Sequence, residues 1–304
     1  MPFTPQQYRA FAQQMFIAIK GLGTDEQALL NVYNQCTTED IVQIARMFTG
    51  CYGFEMDAWV KGDVSGNFGK IMVGCSKPRY SYWAQQINKA VAGLGTDNMA
   101  LIELVILADE QDIKAIRNEY FRLFKADVHE DIKDDISKNA DWARLVKAWW
   151  SSFRYERNNV QNDAMTLYKA AKGAGTDEQV FIEMLCTTTV SEYKQICESY
   201  KLQFKKDLRD TIISEFSGKS EYCYLLAHDF LIDPAKAVSF AMYKAIKGLG
   251  TRDRTLVNCT VLFRDRYRDK VPAYYVAYGN LASDFKGDTS GWYEKTLLQL
   301  WRVQ

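Results

Sequence analysis

The sequence predicts an all-α protein made of four homologous helical repeats, and two observations predict this fold. A Gly-x-Gly-Thr motif recurs along the 304 residues, beginning at Gly21, Gly93, Gly173 and Gly248. The chain ahead of the first and last motifs carries apolar side chains at helical spacing. Because successive motifs are separated by similar lengths of chain, four copies of one unit fill the sequence.

The first predicted helix lies ahead of the first motif. Thr4 is a suitable N-cap and Pro5 a suitable first helical residue. The apolar residues that follow recur at i, i+3, i+4 and i+7: Tyr8, Phe11, Ala12, Met15, Phe16 and Ile19. The same spacing precedes the fourth motif: Val238, Ala241, Met242, Ala245 and Ile246. No comparable run with a period of two occurs, so strands are not expected.

Each Gly-x-Gly-Thr motif is predicted to join two helices. Glycine suits the left-handed position that ends a helix, and threonine suits the N-cap of the next. Thr24 with Gln27, and Thr176 with Gln179, have the spacing of capping boxes. Each repeat is therefore expected to contain a helical hairpin with further helices behind it.

The longest interval separates the second and third motifs, and its surplus lies in the polar stretch 151–163. This stretch is predicted to be a linker between two halves, with the repeats paired two and two. The predicted repeats are 1–78, 79–150, 151–232 with the linker, and 233–304.

The composition of the chain argues against several classes of protein. Lys+Arg 38 balances Asp+Glu 38, so no global field draws the chain to nucleic acid or to an anionic bilayer. Seven scattered cysteines without a C-x-x-C pair indicate reduced thiols in a cytoplasmic protein rather than a disulfide framework. No secretory signal is visible, and the longest apolar stretch, 99–108, is interrupted by Glu103 and too short to span a membrane.

The motif has two interpretations: a helix connection with no further role, or part of a cation site. A calcium site needs six to eight oxygens, so a carboxylate must join the backbone carbonyls of the turn. Asp63, Asp135 and Glu215 each occur at the same distance after the second glycine of their motif, and Asp288 occurs two residues earlier in the fourth repeat. Three of these acids belong to a recurring acid-x-Ser-Gly frame. This coincidence favours the cation site, with a two-residue deletion in the fourth repeat.

These residues resemble the annexin family, whose repeats carry K-G-x-G-T turns and a distant acid in a G-D-T-S-G-like loop. The resemblance spans the whole chain. It implies five-helix repeats arranged as a curved disc, with Ca²⁺ held on the convex face between protein and phospholipid. The animal members usually place an arginine after the second helix, where this chain has Cys36, Ala108, Thr188 and Phe263. The divergence points to the protist annexins called alpha-giardins.

The resemblance also implies a ligand set for each repeat, formed by three carbonyls and one carboxylate. In the first two repeats these are Ile19, Gly21, Gly23 and Asp63, and Val91, Gly93, Gly95 and Asp135. In the last two they are Ala171, Gly173, Gly175 and Glu215, and Ile246, Gly248, Gly250 and Asp288. The second repeat departs from the pattern at Ala92 and Lys138, and the fourth at Arg252.

The expected function is calcium-dependent binding to acidic phospholipid membranes as a peripheral membrane or membrane–cytoskeleton linker. Self-association on the membrane is left open. The alternative is a cytoskeletal or scaffold protein with this fold and little calcium affinity. An enzyme is not expected, because the two histidines, His129 and His228, lie far apart in sequence and have no nucleophile or metal-ligand spacing around them.

Overall fold

The computed structural model describes residues 3–21, 23–92, 97–136, 140–172, 175–248 and 250–304. These residues form twenty α-helices, and their only β-type pairing is an isolated bridge between Tyr155 and Thr188. The prediction of an all-α fold is confirmed. The helices fall into four groups of five, as the resemblance implied.

The helix bounds show the repetition. The first group is α1 Pro5–Ile19, α2 Glu26–Gln35, α3 Thr38–Tyr52, α4 Met56–Asp63 and α5 Gly66–Cys75. The second is α6 Arg79–Val91, α7 Asn98–Ile106, α8 Glu110–Phe124, α9 Val128–Asp135 and α10 Asp141–Ser151. The third is α11 Val160–Ala170, α12 Glu178–Thr187, α13 Val190–Phe204, α14 Leu208–Glu215 and α15 Gly218–Ile232. The fourth is α16 Pro234–Ile246, α17 Asp253–Tyr267, α18 Lys270–Tyr275, α19 Leu281–Asp288 and α20 Gly291–Leu300.

The fourth group differs in its second and third helices. Its second helix, α17, has 15 residues, whereas its third, α18, has only 6. In the first group the second helix has 10 residues and the third has 15. The shortening therefore lies between the turn and the acid, as the earlier position of Asp288 predicted.

The capping of α1 agrees with the sequence, but the capping after the motifs does not. Thr4 forms a capping box with Gln7. The predicted boxes at Thr24 and Thr176 were wrong, because the N-caps of α2 and α12 are the next residues, Asp25 and Asp177. Aspartate caps at least as well as threonine, and this choice releases the threonine hydroxyl for other contacts.

The chain divides into two compact units. Unit 1 comprises residues 1–83 and 242–304, and unit 2 comprises residues 84–241. The second and third groups thus share a unit, and the first shares one with the fourth. The predicted linker between halves was wrong: residues 152–159 lie inside unit 2, where Nη1 of Arg154 donates to the carbonyls of Leu185 and Thr188, each at 2.8 Å.

Each unit has its own core of apolar and aromatic side chains. In unit 1, Trp83, Phe285 and Trp301 are fully buried. In unit 2, the indole of Trp150 donates to the carbonyl of Val105 at 3.0 Å, and buried Tyr222 donates to Glu103 at 2.8 Å. These bonds satisfy polar groups that burial would otherwise leave without water.

Candidate metal centres

The four Gly-x-Gly-Thr turns are closed by the same backbone hydrogen bond. In each, the residue after the threonine donates its N–H to the carbonyl of an alanine in the last turn of the preceding helix. The pairs are Asp25 to Ala18, Asp97 to Ala90, Asp177 to Ala170 and Arg252 to Ala245, at 2.9, 3.2, 2.9 and 2.9 Å. The common bond indicates that the four repeats share one loop closure, even where the sequence departs from the motif.

Glycine is required in these turns by backbone conformation. Gly21, Gly23, Gly175 and Gly250 have φ values of +145°, +96°, +118° and +79°. At all four, an added β-carbon would meet nothing within 4 Å, so the requirement comes from the dihedral angle and not from crowding. The glycines thus leave open space around the turn.

The predicted carbonyl ligands that the structure describes are available for a cation. Within the described residues, no hydrogen bond is donated to the carbonyls of Ile19, Gly21 or Gly23. The same holds, again for donors that the structure describes, for Val91, Ala171, Gly175, Ile246, Gly248 and Gly250. Carbonyls at the end of a helix carry the negative end of its dipole, and they therefore suit a cation.

The four predicted acids occupy one structural position. Asp63, Asp135, Glu215 and Asp288 are the last residues of α4, α9, α14 and α19, the fourth helix of each group. A carboxylate at a helix C-terminus is unfavourable because it adds to the negative end of the dipole. Its occurrence at all four ends is understandable if a bound cation compensates the charge.

The third repeat brings its acid against the turn. The hydroxyl of Thr176, which follows Gly175, donates to Oε2 of Glu215 at 3.0 Å. In the fourth repeat the hydroxyl of Thr251 donates to the backbone carbonyl of Asp288 at 3.4 Å. In both repeats, the end of the fourth helix therefore lies beside the glycine-lined turn.

In the first repeat, side-chain packing places the same two elements together. Phe16, one turn before the end of α1, lies 6.0 Å from Trp59, one turn before Asp63 in α4, measured between ring centroids. The C-terminal ends of α1 and α4 are therefore neighbours. Asp63 itself is exposed.

Part of the predicted ligand set cannot be placed. Gly93, Gly95 and Gly173 lie outside the described residues, as do Lys138 and the turn residues Leu22, Leu94, Ala174 and Leu249. Val91 and Asp135 of the second repeat end α6 and α9. Ile19 and Ile246 likewise end their helices, whereas Ala171 is the residue that follows α11. In the part of the chain that the structure describes, no group of three or more His, Cys, Asp and Glu side chains could hold a metal.

Sequence reasoning missed an aromatic stack beneath three of the turns. The ring pairs are Phe16 with Tyr52, Tyr168 with Phe204, and Tyr243 with Tyr278, with centroids 4.0, 3.8 and 4.4 Å apart. The signal was an aromatic residue four positions before each motif lysine. In two repeats that lysine lies over the ring, with Nζ of Lys20 5.3 Å and Nζ of Lys172 4.5 Å from the centroid.

The lysine of the fourth turn has a different partner. Nζ of Lys247 donates to Oδ1 of Asp284 at 2.7 Å, and this hydrogen bond raises the pKa of the lysine. The other carboxylate oxygen of Asp284 accepts a 2.8 Å bond from the hydroxyl of Tyr275. Asp284 lies one helical turn before Asp288, so the pair connects the turn to the acid-bearing helix.

Within each unit, the helices that follow the two acids begin near one another. In unit 1, Phe68 near the start of α5 and Trp292 near the start of α20 have ring centroids 6.1 Å apart. In unit 2, Nζ of Lys219 near the start of α15 lies 5.8 Å from the ring of Trp142 near the start of α10. Each of these helices follows its acid within a few residues, so in each unit the two acids precede neighbouring helix starts.

Comparison with known proteins agrees with this architecture. The sequence model of the annexin family matches residues 10–74, 82–142 and 162–226, more than half of the chain. Annexin A13 of Mus musculus is 31% identical over 297 residues, which cover 95% of this chain and 93% of that protein. Annexin A4 of Homo sapiens is 32% identical over 297 residues, covering 95% and 92%. The protein therefore belongs to the annexin family.

The family has members that bind calcium and phospholipids. Among solved structures, calcium-bound alpha-14 giardin is similar to this chain with a TM-score of 0.90, covering 97% of this chain and 99% of that one. At 24% identity this similarity shows a shared fold alone. The fourth group of helices lies outside the family matches, yet it has the same five helices and the same closed turn.

Proposed function

We propose that this protein binds acidic phospholipid membranes when calcium is present, as a peripheral protein at the cytosolic face and a candidate membrane–cytoskeleton linker. The observation that carries the proposal is the contact of Glu215 with Thr176, because it puts a charged oxygen beside the turn carbonyls of the same repeat. In the part of the chain that the structure describes, every helix is too short or too polar to span a bilayer.

The donor set suits calcium rather than a softer metal. Carbonyl and carboxylate oxygens are hard ligands, and the ends of the helices supply both. In the third repeat, the carbonyls of Ala171 and Gly175 and the carboxylate of Glu215 would hold the ion. Three carbonyls and one carboxylate leave coordination positions for water and a lipid phosphate. Bound calcium would supply the positive charge that joins this neutral protein to an anionic headgroup.

Such a centre is weak alone, because affinity for calcium rises with the number of charged ligands and this one has a single carboxylate. Two centres in one unit act together, since the first lipid contact raises the effective concentration of the second. The combination gives binding that is reversed when calcium falls.

The proposal includes no catalytic role. His228 is buried and its Nδ1 is 2.9 Å from the hydroxyl of Tyr193, and burial lowers its pKa to about 4. The burial and this contact give His228 a structural role in the core of unit 2. The buried indoles of Trp149 and Trp150 likewise donate to backbone carbonyls.

The test is sedimentation with phosphatidylserine vesicles over a calcium titration, with chelator as the reference. Glu215→Gln removes the charge but keeps an oxygen that can accept from Thr176. We expect it to raise the calcium needed for half-maximal binding on the order of tenfold, because one of several cooperating centres is lost. Asp63→Asn is expected to act in the same direction in the first repeat.

The matched control is Asp210→Asn, an exposed acid on the same helix as Glu215 but away from the turn. Its calcium requirement is expected to equal that of the wild type. If all three variants bind like the wild type, the carboxylates do not hold calcium. If the wild type ignores vesicles and sediments with filaments whether or not calcium is present, the protein is a cytoskeletal scaffold instead.

A further inference from the structure

One tryptophan of unit 1 lies where the proposed membrane contact would be. Of the seven tryptophans, Trp59 and Trp292 are partly exposed, whereas the other five are buried. Trp59 lies one helical turn before the acid Asp63, and its ring packs against those of Phe16 and Phe54. Trp292 is the second residue of α20 and follows Asp288 by a single turn of chain, so its ring lies level with the acid loop.

Trp292 also lies between two candidate centres. Its ring is 6.1 Å from that of Phe68, near the start of α5. Each of these helices follows directly on an acid-bearing helix, α4 in the first repeat and α19 in the fourth. The ring is therefore flanked by the loop that contains Asp63 and the loop that contains Asp288.

Two lysines are directed toward the same end of these helices. Lys70 and Lys295 each occupy the fifth position, in α5 and α20. Side chains on a helix lean toward its N-terminus, and both lysines do so here. Nζ of Lys70 donates to Oδ1 of Asn67 at 2.9 Å, and Nζ of Lys295 lies 4.1 Å from the centroid of the Trp292 ring.

The ammonium groups of Lys70 and Lys295 can bind an anionic ligand. Among the ion pairs between described residues, none includes Lys70 or Lys295, and both side chains are exposed. The partners of the two lysines are instead a neutral amide and an aromatic ring. A cation over an indole face, open to solvent, suits an anionic group that approaches from the loop side.

We propose that Trp292, Lys295 and Lys70 form a contact site for anionic phospholipid headgroups between the centres of the first and fourth repeats. The indole occupies the interfacial layer, which suits a ring with an apolar body and a polar N–H. The two ammonium groups bind phosphate and carboxylate oxygens of neighbouring headgroups. This inference rests on the proposed function, since calcium at Asp63 and Asp288 brings the lipid surface to the site.

The first test measures whether Trp292 reaches lipid. Tryptophan emission is recorded with calcium on phosphatidylserine vesicles that contain phosphatidylcholine with brominated acyl chains, which quench nearby indoles. We expect quenching in the wild type and in Trp59→Phe, the other partly exposed tryptophan, and its loss in Trp292→Phe. Equal quenching in Trp292→Phe and the wild type, with both bound, would overturn the site.

The second test measures the lysines. We expect Lys70→Ala and Lys295→Ala each to weaken binding to phosphatidylserine vesicles about fivefold at fixed calcium. The matched control is Lys194→Ala, because that exposed lysine lies near the start of α13, which bears none of the four predicted acids. If Lys70→Ala and Lys295→Ala lose no more vesicle affinity than the control variant, the proposed lysine contacts are wrong. A wild type that binds with calcium while both tests fail refutes this site alone, whereas a wild type that never binds refutes the proposed function and this site with it.

Discussion

His228 illustrates how a single residue makes this fold sensitive to pH. It is buried in α15 and contacts the hydroxyl of Tyr193. Burial lowers its pKa from 6.5 to about 4, so the folded protein keeps it neutral at pH values where the unfolded chain binds a proton. The contribution to stability is complete above pH 6.5 and is lost as the pH falls toward 4.

We therefore expect the free energy of unfolding to fall by about 2 kcal/mol between about pH 7 and pH 5 through His228 alone. Other groups contribute at lower pH. The carboxylates whose pKa values are lowered, such as those of Asp229 and Asp265, reduce the free energy of unfolding only as the pH falls further, so their effect is separate from that of His228. Urea denaturation at the two pH values provides the measurement. His228→Gln is expected to show a smaller pH effect than the wild type.

His129 provides the internal control for that measurement. Burial lowers its pKa as well, but it lines the 1110 Å³ cavity of unit 2 rather than the core. His129→Gln should keep most of the pH effect. If His129→Gln removes it and His228→Gln keeps it, the assignment to His228 is wrong.

At the scale of elements, the acid-x-Ser-Gly frame ends one helix and begins the next. The serine backbone is extended, and the glycine that follows has φ values of +64°, +58° and +61° at Gly66, Gly218 and Gly291. The frame thus has a structural role beyond its acid, because the left-handed residue turns the chain sharply after the carboxylate. The sequence of the second repeat has Lys138 at this position.

Gly218→Ala is expected to reduce the free energy of unfolding by about 1–2 kcal/mol, because a β-carbon is unfavourable in the left-handed region. The opposite sign is expected for Gly50→Ala. Gly50 is in the last turn of α3, has helical backbone and faces open space, so alanine there is expected to raise the free energy of unfolding by about 0.5 kcal/mol. Thermal or urea unfolding of both variants checks the pair. Equal effects would show that conformation at Gly218 is not the cause.

Much of the secondary structure could be predicted from the sequence, because apolar periodicity indicated helices. Motif spacing indicated the repeats and the recurring acids. The capping errors arose where two neighbouring residues are about equally suitable as the N-cap of the same helix. Threonine and aspartate are both good N-caps, so neighbouring residues such as Thr24 and Asp25 could not be ranked without the backbone bond from Asp25 to Ala18. The aromatic stacks were missed because they join helices that are distant in sequence.

At the scale of the whole molecule, unit 1 is assembled from the two ends of the chain by buried charges. Arg79 forms a 2.7 Å ion pair with Asp265, and both side chains are 5% exposed. Fully buried Arg264 donates to the carbonyls of Tyr33 and Cys36 at 2.9 and 3.1 Å. Contacts between residues so far apart in sequence leave no pattern that could be recognised in the sequence. The polar stretch 151–163 therefore led to the wrong prediction of which repeats pair.

Arg79→Gln is expected to destabilise unit 1 by about 3–5 kcal/mol, because it leaves the carboxylate of Asp265 buried without its cation. Lys133→Gln, which breaks an exposed pair with Glu130, should cost less than about 1 kcal/mol. Differential scanning calorimetry of both variants gives the comparison. Similar losses in the two variants would mean that the buried pair does not stabilise the unit.

The most direct test of the central claim is a crystal structure of the protein soaked in calcium. We predict an ion in the third repeat with the carboxylate of Glu215 and the carbonyls of Ala171 and Gly175 among its ligands, at about 2.3–2.6 Å. If, at saturating calcium, Glu215 still accepts from Thr176 and no ion lies beside the turn, the account is contradicted.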